Sequence, residues 1–117
     1  MKIVIISKAE YVAPRFDLAT EVTIYSVISG RTKGEPRTVL LPGPSGDDLC
    51  GLILKEDANM IVCGGIEEEH YQYLVWKKIK VVDRVIGKTA DVLSLALAGN
   101  LQAGAIVRGE VDGGSEK

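Results

Sequence analysis

The stretch Met60-Ile61-Val62-Cys63-Gly64-Gly65-Ile66-Glu67-Glu68-Glu69-His70 limits what this chain can fold into more than any other. A short apolar run, two glycines and then a helical pattern read as a buried strand that turns directly into a helix. Such a junction places backbone N–H groups at the mouth of an α/β sheet, where folds of this class hold ligands. The same stretch carries a thiol and the only imidazole of the chain, so soft-metal binding is one chemistry to weigh.

The rest of the chain supplies the frame. Ile3 to Ile6 is a continuous β-branched run, the mark of a strand covered on both faces. Ser7 to Asp17 reads as a long connection, with Pro14 excluding a regular helix. Val22 to Ser29 and Arg37 to Leu41 read as strands joined through a turn over Gly30–Gly34, an antiparallel hairpin. After Pro42-Gly43-Pro44, Ser45 stands three residues before Asp48, which predicts a helix start and a helix over about Gly46–Glu56. Met60–Cys63 is the next strand. A helix over about Glu67–Lys78 follows, with Tyr71, Leu74 and Val75 as its apolar face. Lys80–Asp83 is a last strand, and Thr89 is the expected cap of a final helix that turns Val92, Leu93, Ala96 and Leu97 inward and stops at Gly99-Asn100.

This order predicts an α/β fold with three α/β/α layers and a mixed five-stranded sheet holding one antiparallel strand. The second strand should lie beside the first and the fourth on its other side. The crevice then opens beside Ser7–Phe16 and Cys63–Ile66. We expect one domain over residues 1–101 and a flexible C-terminal tail over 102–117.

Composition narrows the function classes. A net charge of −2 gives no reason to expect a nucleic-acid surface, and Arg31, Lys33 and Arg37 read as solvated hairpin cations. No stretch approaches the roughly 20 apolar residues of a membrane span. The N-terminal run is too short for a signal-peptide core, and Cys50 and Cys63 suggest no disulfide framework, so a cytoplasmic location is expected.

Several segments together resemble one family. Val12-Ala13-Pro14-Arg15-Phe16 is similar to the Val-Ala-x-Arg-Phe-Gly segment of the dinitrogenase iron–molybdenum cofactor biosynthesis family, of the NifX or NifB C-terminal-domain type. Gly64-Gly65-Ile66 resembles the Gly-Gly-Ile after its fourth strand, and Lys78-Ile79-Lys80-Val81 its Gly-Ile-Lys-Val. Gly87-Lys88-Thr89, Leu93 and Leu97-Ala98-Gly99-Asn100-Leu101 fit its last helix. The resemblance runs from about Lys2 to Leu101. It implies a ribonuclease-H-like fold and a non-catalytic protein that binds an iron–molybdenum cofactor precursor, or another molybdenum–sulfur or iron–sulfur cluster, and passes it on. Implied partners are the metal–sulfur cofactor itself and the biosynthetic or acceptor proteins of nitrogen fixation, with no nucleic acid or membrane. Asp17, Glu67-Glu68 and His70 stand where the family usually has glycine, Gly-Pro and alanine.

The candidate cofactor-binding residues are Lys8, Arg15, Cys63, Gly64, Gly65 and Ile66, with Cys63 and His70 as candidate metal ligands. Arg15, between Pro14 and an anchoring Phe16, suits a fixed guanidinium fork for an anion; the alternative is that it pairs with Asp17 and pins the loop. Lys8 adds positive charge. Cys63 reads either as a thiolate ligand or as a small buried hydrophobe, and Cys50 as core. His70 reads as a ligand, a proton acceptor or a solvent-edge side chain. Tyr73 and Trp76 form either an exposed aromatic interface, for a homodimer or a docking partner, or a patch covered by a loop.

Two functions follow from these residues. Arg15 and Cys63 favour a carrier of an anionic cluster. Glu67–Glu69, which would repel one, and Trp76 favour an interaction or regulatory module that no longer binds the cofactor. Nuclease chemistry, which the implied fold alone would suggest, is disfavoured: it needs carboxylates around Mg²⁺, and the first strand, Ile3–Ile6, offers none.

Overall fold

The computed structural model describes residues 1–108. Strand β1 (Lys2–Lys8) is the middle of the sheet. Its side chains alternate between two apolar cores, which is why an unbroken run of isoleucine and valine is needed there. Val4 and Ile6 face one core with Leu49, Ile53, Ile61 and Leu74. Ile3 and Ile5 face the other with Val62, Val82, Val92 and Ala96. Each fully buried aliphatic side chain contributes about 1.5–3 kcal/mol of transfer free energy.

Seven strands form the sheet. Besides β1 they are β2 (Tyr11–Val12), β3 (Glu21–Ile28), β4 (Arg31–Thr32), β5 (Arg37–Leu40), β6 (Met60–Val62) and β7 (Lys80–Val82). The order is β4-β3-β1-β6-β7, with β2 paired to β1 and β5 to β3. β3 is antiparallel to β1, while β6 and β7 run parallel to it. Helices α1 (Gly46–Lys55) and α2 (Glu68–Trp76) cover the Val4/Ile6 face, and α3 (Thr89–Leu97) covers the other. The result is a mixed α/β fold with helices on both faces.

The five expected strands are present in the expected order, and the expected count is corrected by two short additions. β2 turns back through Ala9 (φ 54) and pairs Ser7 with Val12 and Lys8 with Tyr11, so the 7–17 connection is partly sheet. The hairpin turn is tighter than the Gly30–Gly34 expected. Ser29 and Gly30, at φ 53 and 77, close a two-residue turn that lets Arg31–Thr32 pair at once with β3.

Three finer expectations are corrected too. Lys88, not Thr89, caps α3, and its side chain makes no cap hydrogen bond. The buried face of α2 is set by Leu74, while Val75 is turned outward and Tyr71 is half-buried. The segment 102–107, expected as part of the tail, pairs with the loop after β7, with Ile86 N–H donating to Ala105 O at 2.9 Å and Val107 N–H to Ile86 O at 2.7 Å. The rest of the expected tail, 109–117, lies outside the described residues. Ser45 behaves as expected, its Oγ accepting from the Asp48 N–H at 3.1 Å. Arg37 of the hairpin is paired with Glu56, at the end of α1, and Lys2 joins the same carboxylate at 3.3 Å.

Candidate functional site

The carboxyl ends of β1, β6 and β7 carry three loops that meet at Pro14. Phe16 fixes the first loop. Its ring is fully buried, and its N–H donates to Gly65 O at 2.8 Å, while Gly65 N–H donates to Pro14 O at 2.8 Å. Arg15 and Gly65 are therefore bridge partners. Gly64 is the residue that permits this approach: a Cβ there would run into the carbonyl oxygens of Ala13 and Pro14. The third loop joins on the opposite side, where Arg84 N–H donates to Gly64 O at 2.9 Å and Val85 N–H to Cys63 O at 3.1 Å.

Two clefts flank Pro14. One, of about 320 Å³, is lined by Lys8, Ala13, Arg15, Leu18 and Glu21 among others. Its charges are mixed. Ser7 Oγ donates to Glu21 Oε2 at 3.0 Å, and Arg15 grips its neighbour Asp17 through Nε at 3.1 Å and Nη2 at 2.7 Å. The second cleft, of about 410 Å³, is lined by Pro14, Gly64, Gly65, Arg84, Val85 and Ile86 with Val12. Both volumes fall in the range of small-molecule sites.

The predicted residues thus separate into two groups. Lys8, Arg15, Gly64 and Gly65 gather around Pro14, and Ile66 lies beside them, half-buried against the α1/α2 core. Arg15 does bond to Asp17, the pinning role foreseen as its alternative, while remaining largely exposed. Gly65 gives its N–H to protein, so the bend offers an anion fewer bare donors than the sequence suggests.

Cys63 and His70 stand apart from that group. Cys63 is fully buried, and burial, with a smaller effect of the Asp83 charge, pushes its thiol up to about 12. It is the small core hydrophobe of the two readings, because the Pro14 loop lies across the strand end. His70 packs beside Phe16, ring centroids 5.6 Å apart, and over Gly46, where a Cβ would strike the imidazole. Its Nε2 is 3.4 Å from Asp47 Oδ1, and its buried Nδ1 has no hydrogen-bond partner among the described residues. It lines a separate cavity of about 340 Å³ with Asp47, Cys50, Glu69 and Tyr73. A metal centre built on Cys63 and His70 is not assembled here, and no group of three or more His, Cys, Asp or Glu is placed to hold a metal among the described residues.

Sequence reasoning passed over Arg84 and Glu21. Neither belongs to a motif. Taking the residue just beyond every parallel strand, not only beyond β6, would have found Arg84.

Comparison with known proteins fixes the lineage. The family model described as dinitrogenase iron–molybdenum cofactor matches residues 1–99. The chain belongs to that family. Solved structures share the fold. The crystal structure of PH0822 superposes with a TM-score of 0.79 at 22% identity, over 88% of this chain and 94% of that one. The crystal structure of a candidate dinitrogenase from Methanocaldococcus jannaschii gives 0.70 at 25% identity, over 87% and 92%. A candidate NifB protein from Thermotoga gives 0.67 at 16% identity, over 93% and 97%. No curated protein sequence matches the chain. No helix among the described residues is long and apolar enough to cross a membrane.

Proposed function

We propose that this member of the family is a non-catalytic binding or carrier protein for an anionic iron–molybdenum or molybdenum–sulfur cofactor, or its precursor. The observation that carries the reading is the convergence of the Arg15 loop and the Gly64–Gly65 bend at Pro14, with Lys8 and Arg15 beside an open cleft. That surface lies at the carboxyl ends of parallel strands, where open α/β sheets bind ligands. The cargo is held by charge and hydrogen bonds rather than through sulfur, because the Cys63 side chain is fully buried beneath the Pro14 loop. No bond is made or broken in the cargo.

In this reading residues 1–101 form the working unit, with a ribonuclease-H-like arrangement and a cytoplasmic location. Its partners are the proteins that make or accept the cofactor, and the exposed Tyr73–Trp76 face of α2 is where one of them, or a second copy, docks. Trp76 is 71% exposed, with Lys77 Nζ 4.7 Å above its ring, which supports an interface role.

A second reading is an interaction or regulatory module on the same scaffold that has lost the cofactor. Arg15 already satisfied by Asp17, and the exposed Glu67–Glu69 run, favour it. Anaerobic titration with tetrathiomolybdate separates the two. A carrier shows saturable shifts of the Arg15, Gly64 and Gly65 amide signals. Signals that stay in place at millimolar ligand leave only the second reading.

A further inference from the structure

The two clefts at Pro14 differ in charge in a way that bears on where an anion would sit. The Arg15 cleft includes Glu21, and its arginine is held by two hydrogen bonds from one carboxylate. The opposite cleft has Arg84 as its only charged lining residue, and the remainder of its wall is apolar or glycine. Arg84 is 68% exposed, and its one carboxylate neighbour among the described residues is Asp83, which approaches Nε at 3.5 Å and does not reach hydrogen-bond geometry. The apolar and glycine wall offers the free guanidinium edge no competing carboxylate within the cleft.

The backbone adds a second observation. Arg84 stands at φ 57, a left-handed conformation that costs a residue with a Cβ roughly 1–2 kcal/mol. Glycine would adopt it without that cost. The position is nevertheless held firmly, by the bond from Arg84 N–H to Gly64 O at 2.9 Å and the bond from Gly104 N–H to Asp83 O at 2.8 Å. A strained, over-determined residue beside a cleft is a common mark of a binding group.

We propose that Arg84 is a principal anion-binding residue of this protein, and that the cleft between Pro14 and Ile86 is a subsite for a multiply charged thio- or oxoanion. The requirement for more than one charge follows from the neighbours. Asp83 stands 3.5 Å from Arg84 Nε, so a monovalent anion at the free guanidinium edge gains little against the repulsion of that carboxylate. A dianion or a larger cluster outcompetes it by Coulomb attraction. The inference rests on the carrier reading and moves its centre from Arg15 to the other side of Pro14.

The test is a titration of the full chain with tetrathiomolybdate under anaerobic conditions, comparing the unaltered protein with Arg84→Gly, Arg84→Gln and Arg15→Gln. Arg84→Gly relieves the left-handed strain, so loss of binding in that variant cannot be ascribed to misfolding. Losing a charge-assisted bond of about 1.5–3 kcal/mol should weaken binding by about tenfold or more in both Arg84 variants, and by less in Arg15→Gln. At equal ionic strength sulfate should displace the probe and chloride should not. Binding by the unaltered protein that persists in Arg84→Gly overturns the inference and leaves the carrier reading standing. Equal displacement by chloride overturns the multivalent requirement. A protein that binds no tetrathiomolybdate at all overturns both.

Discussion

Three glycines among the described residues, Gly46, Gly64 and Gly87, sit where a methyl group could not, and the first two are not equivalent. At Gly64 the obstruction is backbone, the carbonyl oxygens of Ala13 and Pro14; at Gly46 it is the ring of His70. Each region also holds a cysteine, Cys63 beneath the first and Cys50 beside the second. Backbone tied down by the Gly65 N–H to Pro14 O bond cannot easily step aside, whereas a side chain can rotate at a cost of about 1 kcal/mol. The first contact therefore defines the geometry of the loop end, and the second only tunes how α1 meets α2.

The strongest way to break this comparison is Gly64→Ala. We expect a loss of about 3 kcal/mol in urea unfolding, the upper end for an overpacked site, because the atoms nearest an added Cβ are all backbone. A loss under about 1 kcal/mol would mean that the Pro14 loop yields and is not the rigid part.

Alkaline titration should distinguish the two cysteines next. Burial raises the Cys63 thiol from 9.0 to about 12 and the Cys50 thiol to about 11, each aided by a nearby carboxylate. Both folded values lie above the unfolded one, so the native state binds more protons as the pH passes 9. Stability is then complete below pH 9 and falls above it, by at most about 1.4 kcal/mol per pH unit for each thiol. Cys63→Ala and Cys50→Ala should each flatten that decline between pH 9 and 11, and above pH 11 Cys63→Ala should do so more. At pH 8 an aromatic disulfide reagent should reach Cys50, 4% exposed, before Cys63, 0% exposed, since the latter requires the loop end to open.

Gly46→Ala is expected to cost about 1 kcal/mol, and the cost should vanish in a His70→Ala background, where alanine's better helix propensity makes the change neutral or favourable. A double-mutant cycle with no coupling would show that the ring is not what Gly46 accommodates. The smallest effect belongs to Arg15→Gln. Its pair with Asp17 is largely exposed, so thermal unfolding should register less than about 0.5 kcal/mol. A larger loss would make Arg15 a structural pin.

The sequence was a good guide where its signals are local. Continuous β-branched runs at Ile3–Ile6 and Met60–Val62 identify central strands because only a doubly covered strand tolerates them. Helix α1 follows from its Ser45 cap, and α2 and α3 from periodicity without a side-chain cap. What could not be read depends on contacts between distant segments. Cys63 stands at a strand end, which suggested access, but its depth is decided by residues 13–16 crossing above it. His70 stood beside the expected apolar face of α2. The absence of a side chain at Gly46 makes room for the imidazole and leaves Val75 outside. Arg84 has no motif, and its importance is purely positional. β2 was missed because two residues are too few to show a period.

Under the proposed carrier function, the clamp around Gly64 also bears on the traffic of the cargo. A passenger resting on a rim that cannot part never becomes enclosed, so loading and unloading need no breathing of the fold and proceed at the pace of surface encounters. Such a vehicle protects its freight poorly but surrenders it readily, and an acceptor need only offer a denser array of positive charge to take delivery.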